Sequence, residues 1–362
     1  MNNLFFKQVY LGFVIFLMVL FPLKAQRKPE ISWKMVDTIS IPIPPPEHPR
    51  VYLRASQAAQ LEARMKDPVL QPIIDKLRSS ASKTSQLKIE WDALQYLVSR
   101  DRILGRATID SGLALLKRTI LPERQDAARV TGRMMVTGAI VYDWIYTLLT
   151  PEEKNEFIAE FIRLAKTLEC DYPPTKQGSV TGHSSESFVT RDMLSAGLAI
   201  YDEFPEMYDL AAVRFFREHL PVRNWLYNGH AYHQGDSYGP HRFSWDTYPL
   251  FIFDRMGVTN VYNPEQQYVP YLWIYTTRPD GQRLRAGDTF TTSAPRGRPW
   301  SQYIGTVLTA SYYGDGFLLD QFLQQGDSAP VVIFAMYTSV FTIGSFVNTR
   351  FSSQDSLKVN LK

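Results

Sequence analysis

Within the fourteen residues HAYHQGDSYGPHRF, His230 to Phe243, stand three of the chain's six histidines, together with Tyr232, Asp236, Tyr238 and Arg242. Such a set is open to metal ligation, to proton transfer, or to the plain hydrogen bonding of a crowded loop. A zinc site would draw on His230 and His233, with His241 as a candidate third ligand. The chain has no HExxH pair and a single cysteine, Cys170, so the usual tetrahedral partners are missing. A phenol acts as base and then acid only where cations or hydrogen bonds stabilise its phenolate. Arg242, four residues beyond Tyr238, is a source of such a field.

A second group is GHSSE, 182 to 186. His183 and Glu186 are three residues apart and share a face if the turn there is helical. A helix N-terminus also favours anions. The plain alternative is that Ser184 or Ser185 caps the helix and Glu186 only complements its dipole. A serine-nucleophile elbow is excluded, because Glu186 occupies the place of its second glycine and no strand pattern precedes it.

Most of the elements that must hold these groups read as helices. In Thr150-Pro151-Glu152-Glu153 a capping box precedes Phe157, Ile158, Phe161, Leu164, Ala165 and Leu168 at helical spacing. Similar patterns predict helices over 90–104, 125–149, 186–202, 207–225, 245–256, 267–276 and 301–312. Short connections rich in Pro, Gly, Asn and Asp, with no alternating strand runs, imply an all-α domain of antiparallel helix pairs over 56–327. No fixed-period repeat marks a strict solenoid.

Residues 1–25, with Lys7, an apolar run from Val9 to Leu23 and Ala25, have the pattern of a signal peptide. The run is shorter than the ~20 apolar residues of a spanning helix and contains Pro22, so no stable membrane anchor is expected. A Pro-rich lead, 26–55, reads as an extended strap. The loop 278–300 carries five arginines, Arg278, Arg283, Arg285, Arg296 and Arg298, with a composition suited to sulfates or carboxylates and equally to a solvated loop. Residues 328–362 form a divergent apolar tail. Without Lys7 and Lys24 the chain has 37 basic and 36 acidic residues, and this near-neutral charge argues against a nucleic-acid partner. No P-loop or dinucleotide-binding fingerprint is present.

MVTGAIVYDW (135–144), RLAKTLECDYPP (163–174), GHSSE, AIYDEFPEMYDLAA (199–212), YHQGDSY (232–238) and RPDGQ (278–282) together resemble the heparinase II/III group of polysaccharide lyases, heparinase II in particular. The resemblance runs from about Ile31 to Leu323. It implies an incomplete α/α toroid of helical hairpins, with the family's following β-sandwich domains absent from this chain. It also implies cleavage of heparin or heparan sulfate by β-elimination, a periplasmic location and a sulfated glycosaminoglycan partner. A homodimer is compatible with it.

By the same resemblance, His183 and Glu186 neutralise the C5 carboxylate of the uronic acid, with Glu186 protonated or sharing a proton. Tyr238 protonates the leaving group and, for one epimer, removes the C5 proton; Arg129 and Arg242 line the substrate cleft. The family's zinc site and a further catalytic histidine belong to the β-sandwich portion, so no cofactor is expected in this chain. Two other readings stay open: a sugar-binding helical domain without turnover, and a glycoside hydrolase using Glu186 and Asp236.

Overall fold

The computed structural model describes residues 40–66, 68, 71–121, 127–167, 172, 185–278, 284 and 305–323. The signal-like segment 1–25, most of the arginine-rich loop and the apolar tail lie outside the described residues. Among the described residues the chain is mostly helical and has no strand. The all-α expectation therefore holds.

After two short helical turns come α1 (Gln71–Ala81), α2 (Ser85–Ser99), α3 (Arg102–Arg118), α4 (Ala127–Trp144) and α5 (Pro151–Thr167). Thr84 caps α2, accepting from Leu87 N at 3.2 Å, and the expected capping box starts α5: Thr150 N donates to Glu153 at 2.9 Å and Glu153 N donates back to Thr150 at 3.3 Å. Next come α6 (Ser185–Ser187), a π-helical segment (Phe188–Met193) and α7 (Leu194–Ala199). Then α8 (Glu206–Arg214), a second π segment (Phe215–His219) and α9 (Leu220–Tyr227) lead to the long α10 (Gly235–Arg255). A 3-10 turn, Pro264–Tyr268, precedes α11 (Val269–Tyr275); α12 (Gly305–Tyr313) and α13 (Gly316–Leu323) complete the described chain. α1 to α5 pack in succession, as do α7 on α8 and α12 on α13; α4 also lies against α2 and α7, and α10 lies against α12 and the first π segment.

Several helix boundaries differ from the sequence expectation for identifiable reasons. The helix expected over 90–104 is two helices, because Arg100 takes a left-handed conformation (φ 58°) that ends α2, and Asp101 restarts the chain by accepting from Ile103 N and Leu104 N. α1, α3 and α13 were not anticipated as separate helices. The helix expected to begin at Trp245 begins ten residues earlier, at Gly235, just after Gln234 and with Pro240 inside it. The Gly239-Pro240 pair reads locally as a breaker, yet packing against α6, α11 and α12 holds the helix through it.

The core is dense around α4. Val141, Ile140, Ala139 and Met135 are fully buried with Phe157, Phe161 and Leu164 of α5 and Leu116 of α3. Residues 40–54 have no regular structure and are tied to this core by charge. Buried Asp143 on α4 accepts from the backbone N–H groups of Arg50 and Val51, each at 2.8 Å, and lies 2.6 Å from His48 Nδ1. Arg50, itself fully buried, donates to the carbonyls of Leu198 and Ala199 at 2.9 and 3.2 Å, satisfying groups that the end of α7 leaves unpaired.

The α7–α8 contact depends on a missing side chain. A Cβ on Gly197 would overlap the backbone nitrogen of Tyr208 and stand 2.7 Å from its Cα, and backbone cannot move aside as a side chain can. Gly197→Ala is therefore expected to lower folding stability by about 1–3 kcal/mol in urea denaturation. An unchanged midpoint would contradict this packing.

Candidate functional site

Two helical stripes and one short turn build a buried cluster of charge. On one side, His219 at the end of the second π segment, with Arg223 and Tyr227 on α9, recur every four residues. On the other, Tyr238, Arg242 and Asp246 recur every four residues along α10. Such spacing puts each trio on one helical face. Glu186 enters from α6, whose continuation is the fully buried π segment. π-helical turns are rare and often found at functional sites.

Arg223 joins the two buried carboxylates. Its Nη2 lies 3.2 Å from Glu186 Oε1 and its Nε 3.1 Å from Asp246 Oδ2. Asp246 also takes His219 Nε2 at 2.9 Å and a short bond from the Tyr227 hydroxyl. Glu186 is further approached by His233 Nε2 at 3.4 Å and Arg242 Nη1 at 3.9 Å. Glu186, Arg223, Asp246 and His219 are each 1% exposed or less, and Arg242 is 3% exposed. Arg242 also faces two rings, that of half-buried Tyr238 at 4.9 Å and that of Trp245 at 5.6 Å. It thus links Glu186 to the tyrosine.

These charges set the proton balance. Burial opposes ionisation of Glu186, but contact with His233 and the fields of Arg223, His219 and Arg242 outweigh it and hold its carboxyl below the ordinary carboxylate range. Asp246 is held low in the same way, with Arg223 and His219 overcoming its burial. Burial pushes the hydroxyls of Tyr227, Tyr232 and Tyr262 well up, so these remain neutral phenols. The cluster also has unspent hydrogen-bonding capacity. Neither oxygen of Glu186, nor Arg223 Nη2, Arg242 Nε or the Tyr232 hydroxyl, has an aligned hydrogen-bond partner among the described residues. Buried polar atoms are rarely left so, and their concentration here suits a polar or anionic ligand.

The residues singled out by sequence fare unequally. Glu186, Arg242 and Tyr238 come together around the Arg242 guanidinium. His183 lies outside the described residues, as do the side chains of Arg129 and Asp236; Arg129 falls on α4. His230 turns away from the cluster, pairing with Glu265 at 2.5 Å on the surface, and His241 packs edge-on against Trp245. Among the described residues no group of three or more His, Cys, Asp or Glu side chains is placed to hold a metal ion. No described helix is long and apolar enough to cross a membrane.

Sequence reasoning missed Arg223, Asp246 and His219, and weighed His233 only as a metal ligand. The available signal was a polar residue every fourth position on helices whose neighbouring residues are apolar or aromatic. A second buried cluster was missed as well: Glu90 on α2 accepts from Thr137 at 2.5 Å, and Asp192 pairs with Arg191 at 2.5 Å in the first π segment. Burial pushes both of these carboxyls up, against the pull of Arg133 and Arg191. Arg133 on α4 acts on both carboxyls, so the cluster joins α2, α4 and the π segment that follows Glu186.

Comparison with known protein families finds no family model that matches the chain, and comparison with curated proteins finds no match either. The site's chemistry therefore rests on its own geometry and on the resemblance of its motifs.

Asp246→Asn removes one carboxylate from between Arg223 and His219 and is expected to cost about 3–5 kcal/mol of stability at pH 7. Because the folded carboxyl is held low, its stabilisation is present above the ordinary carboxylate range and is lost as the pH falls through the folded value. The gap between wild type and variant should narrow on acidification below about pH 4. Urea denaturation at both pH values checks this; an equal gap at both would contradict it.

Proposed function

We propose that this chain is a polysaccharide lyase of the heparinase II type, whose helices form the family's α/α toroid and whose site cleaves heparin or heparan sulfate by β-elimination. Export to the periplasm belongs to the same reading, from the signal-like pattern of residues 1–25. The observation that carries it is the buried Arg242, which faces Glu186 on one side and the Tyr238 ring on the other.

Elimination at a uronic acid makes three demands. The C5 carboxylate must be neutralised so that the C5 proton becomes removable, a base must take that proton, and an acid must protonate the departing O4. Glu186, with His183, meets the first in this scheme, and Arg242, at the junction of Glu186 and Tyr238, is the buried cation behind it. Tyr238, half-exposed at the second turn of α10 and covered on one face by the guanidinium, is suited to the proton transfers. A resting Glu186 that is ionised must gain or share a proton when the substrate carboxylate arrives, since two adjacent anions cannot both stay charged at low cost. His183 takes its family role in this scheme from sequence alone.

A binding domain without turnover would use the same cation cluster, and the two readings part at the tyrosine. Tyr238→Phe keeps the ring over which Arg242 sits but removes the transferable proton. It is expected to lower the rate of unsaturated uronate formation, followed by ultraviolet absorbance, by about 10²–10⁴-fold with the fold intact by circular dichroism. Full activity in this variant would rule out the assigned role.

A further inference from the structure

Among the described neighbours of Glu186 one is unlike the rest. Arg223, Arg242, Asp246 and His219 are buried, whereas the His233 side chain is 28% exposed, so solvent and a ligand reach it directly. Its two ring nitrogens differ in their contacts. Nδ1 lies 3.0 Å from Arg223 Nη1, whereas Nε2 lies 3.4 Å from Glu186 Oε1 and 3.5 Å from the same Nη1. A guanidinium only donates, so the nearer nitrogen, Nδ1, is the acceptor, and the neutral ring then carries its hydrogen on Nε2, beside Glu186. Tyr232 fixes the plane of the ring: it stacks on His233 with centroids 4.9 Å apart, and Arg223 lies over the same tyrosine at 4.8 Å.

We propose that His233 is a positioning residue that governs the proton on Glu186: locked by Arg223 with its hydrogen on Nε2, it keeps the carboxylate ionised until a ligand turns the imidazole away. The inference rests on the lyase reading of this site and adds its regulation. Glu186 is faced by Arg223 from α9, by His219 from the second π segment, by Arg242 from α10 and by His233 from the segment before α10, with Asp246 behind Arg223. Four of these are buried and held by one another. His233 is the group an incoming uronate can displace, and its displacement takes a polar N–H from beside Glu186 just as a second negative charge arrives. Both changes favour uptake of a proton by Glu186 from solvent.

Loss of the Nε2 donor should raise the pH at which Glu186 is protonated and, in the lyase, extend activity to higher pH. The full chain, labelled with ¹⁵N-histidine and ¹³C-glutamate, tests this without any substrate. The expected wild-type spectrum shows His233 protonated on Nε2 near neutral pH. The Glu186 titration midpoint, identified by its loss in Glu186→Gln, should move up in His233→Phe and return part of the way in His233→Gln, whose amide restores a donor near the Nε2 position.

An Nδ1-protonated ring in the wild type, or a Glu186 midpoint the same in both variants as in the wild type, would overturn the proposal. The wild-type tautomer needs no substitution, so a poorly folding variant does not remove the test. With heparan sulfate, the alkaline limb of kcat/KM should move up in His233→Phe alongside the midpoint. A chain with the expected tautomer and midpoint shifts but no turnover would overturn the lyase reading while upholding the coupling of His233 to Glu186.

Discussion

Two carboxylates in a dry interior cannot stand without cations, and the arrangement of Glu186 and Asp246 about Arg223 is the constraint to which the surrounding helices conform. Each buried ion costs several kcal/mol of lost hydration, which only close and well-placed partners offset. Arg223 reaches Glu186 at 3.2 Å and Asp246 at 3.1 Å, so α6, α9 and α10 must meet at one point. His219 and Tyr227 complete the shell of Asp246, whereas the shell of Glu186 keeps acceptor capacity unspent. That asymmetry separates the two acids: Asp246 is a fixed counter-charge, and Glu186 is the one that changes its proton in the proposed mechanism.

The rest of the fold supplies rigidity to that meeting point. The first π segment shifts the register of the helix after Glu186 and buries Arg191 and Asp192, which pair with each other in the field of Arg133 from α4. The end of that helical run, α7, is closed by Arg50 from the strap, and the strap is in turn held by Asp143 on α4. A path of ionic and backbone contacts therefore runs from the Pro-rich lead to the helix that presents Glu186. If, as proposed, the site places a carboxylate and a phenol against one sugar unit, it gains from such bracing, because small misplacements cost large factors in rate.

Helix type and the main apolar faces were legible in the sequence, since periodicity over a long amphipathic stretch such as 151–167 is a strong signal and its capping box marks the start. The break at Arg100 was not legible, because a left-handed arginine has no composition cue, and only Asp101 behind it offered a capping hint. The early start of α10 was hidden by Gly239 and Pro240, whose local preference for a turn is overridden by packing on three neighbouring helices. Within the site, Glu186, Tyr238 and Arg242 came from motif resemblance. Arg223 and Asp246 were invisible because each looks like an ordinary surface charge until the other is seen across the interior; pairing between distant segments is not written in local pattern.

On the proposed reading this geometry eliminates and does not hydrolyse. The most direct measurement is the mass of the oligosaccharides released from heparan sulfate by the purified chain. Elimination predicts that at every cut the fragment carrying the new nonreducing end is one water lighter than hydrolysis would leave it and ends in an unsaturated uronate, while the other fragment has the same mass either way. Saturated products that have gained water would contradict the account and point instead to glycoside hydrolysis at the same carboxylates.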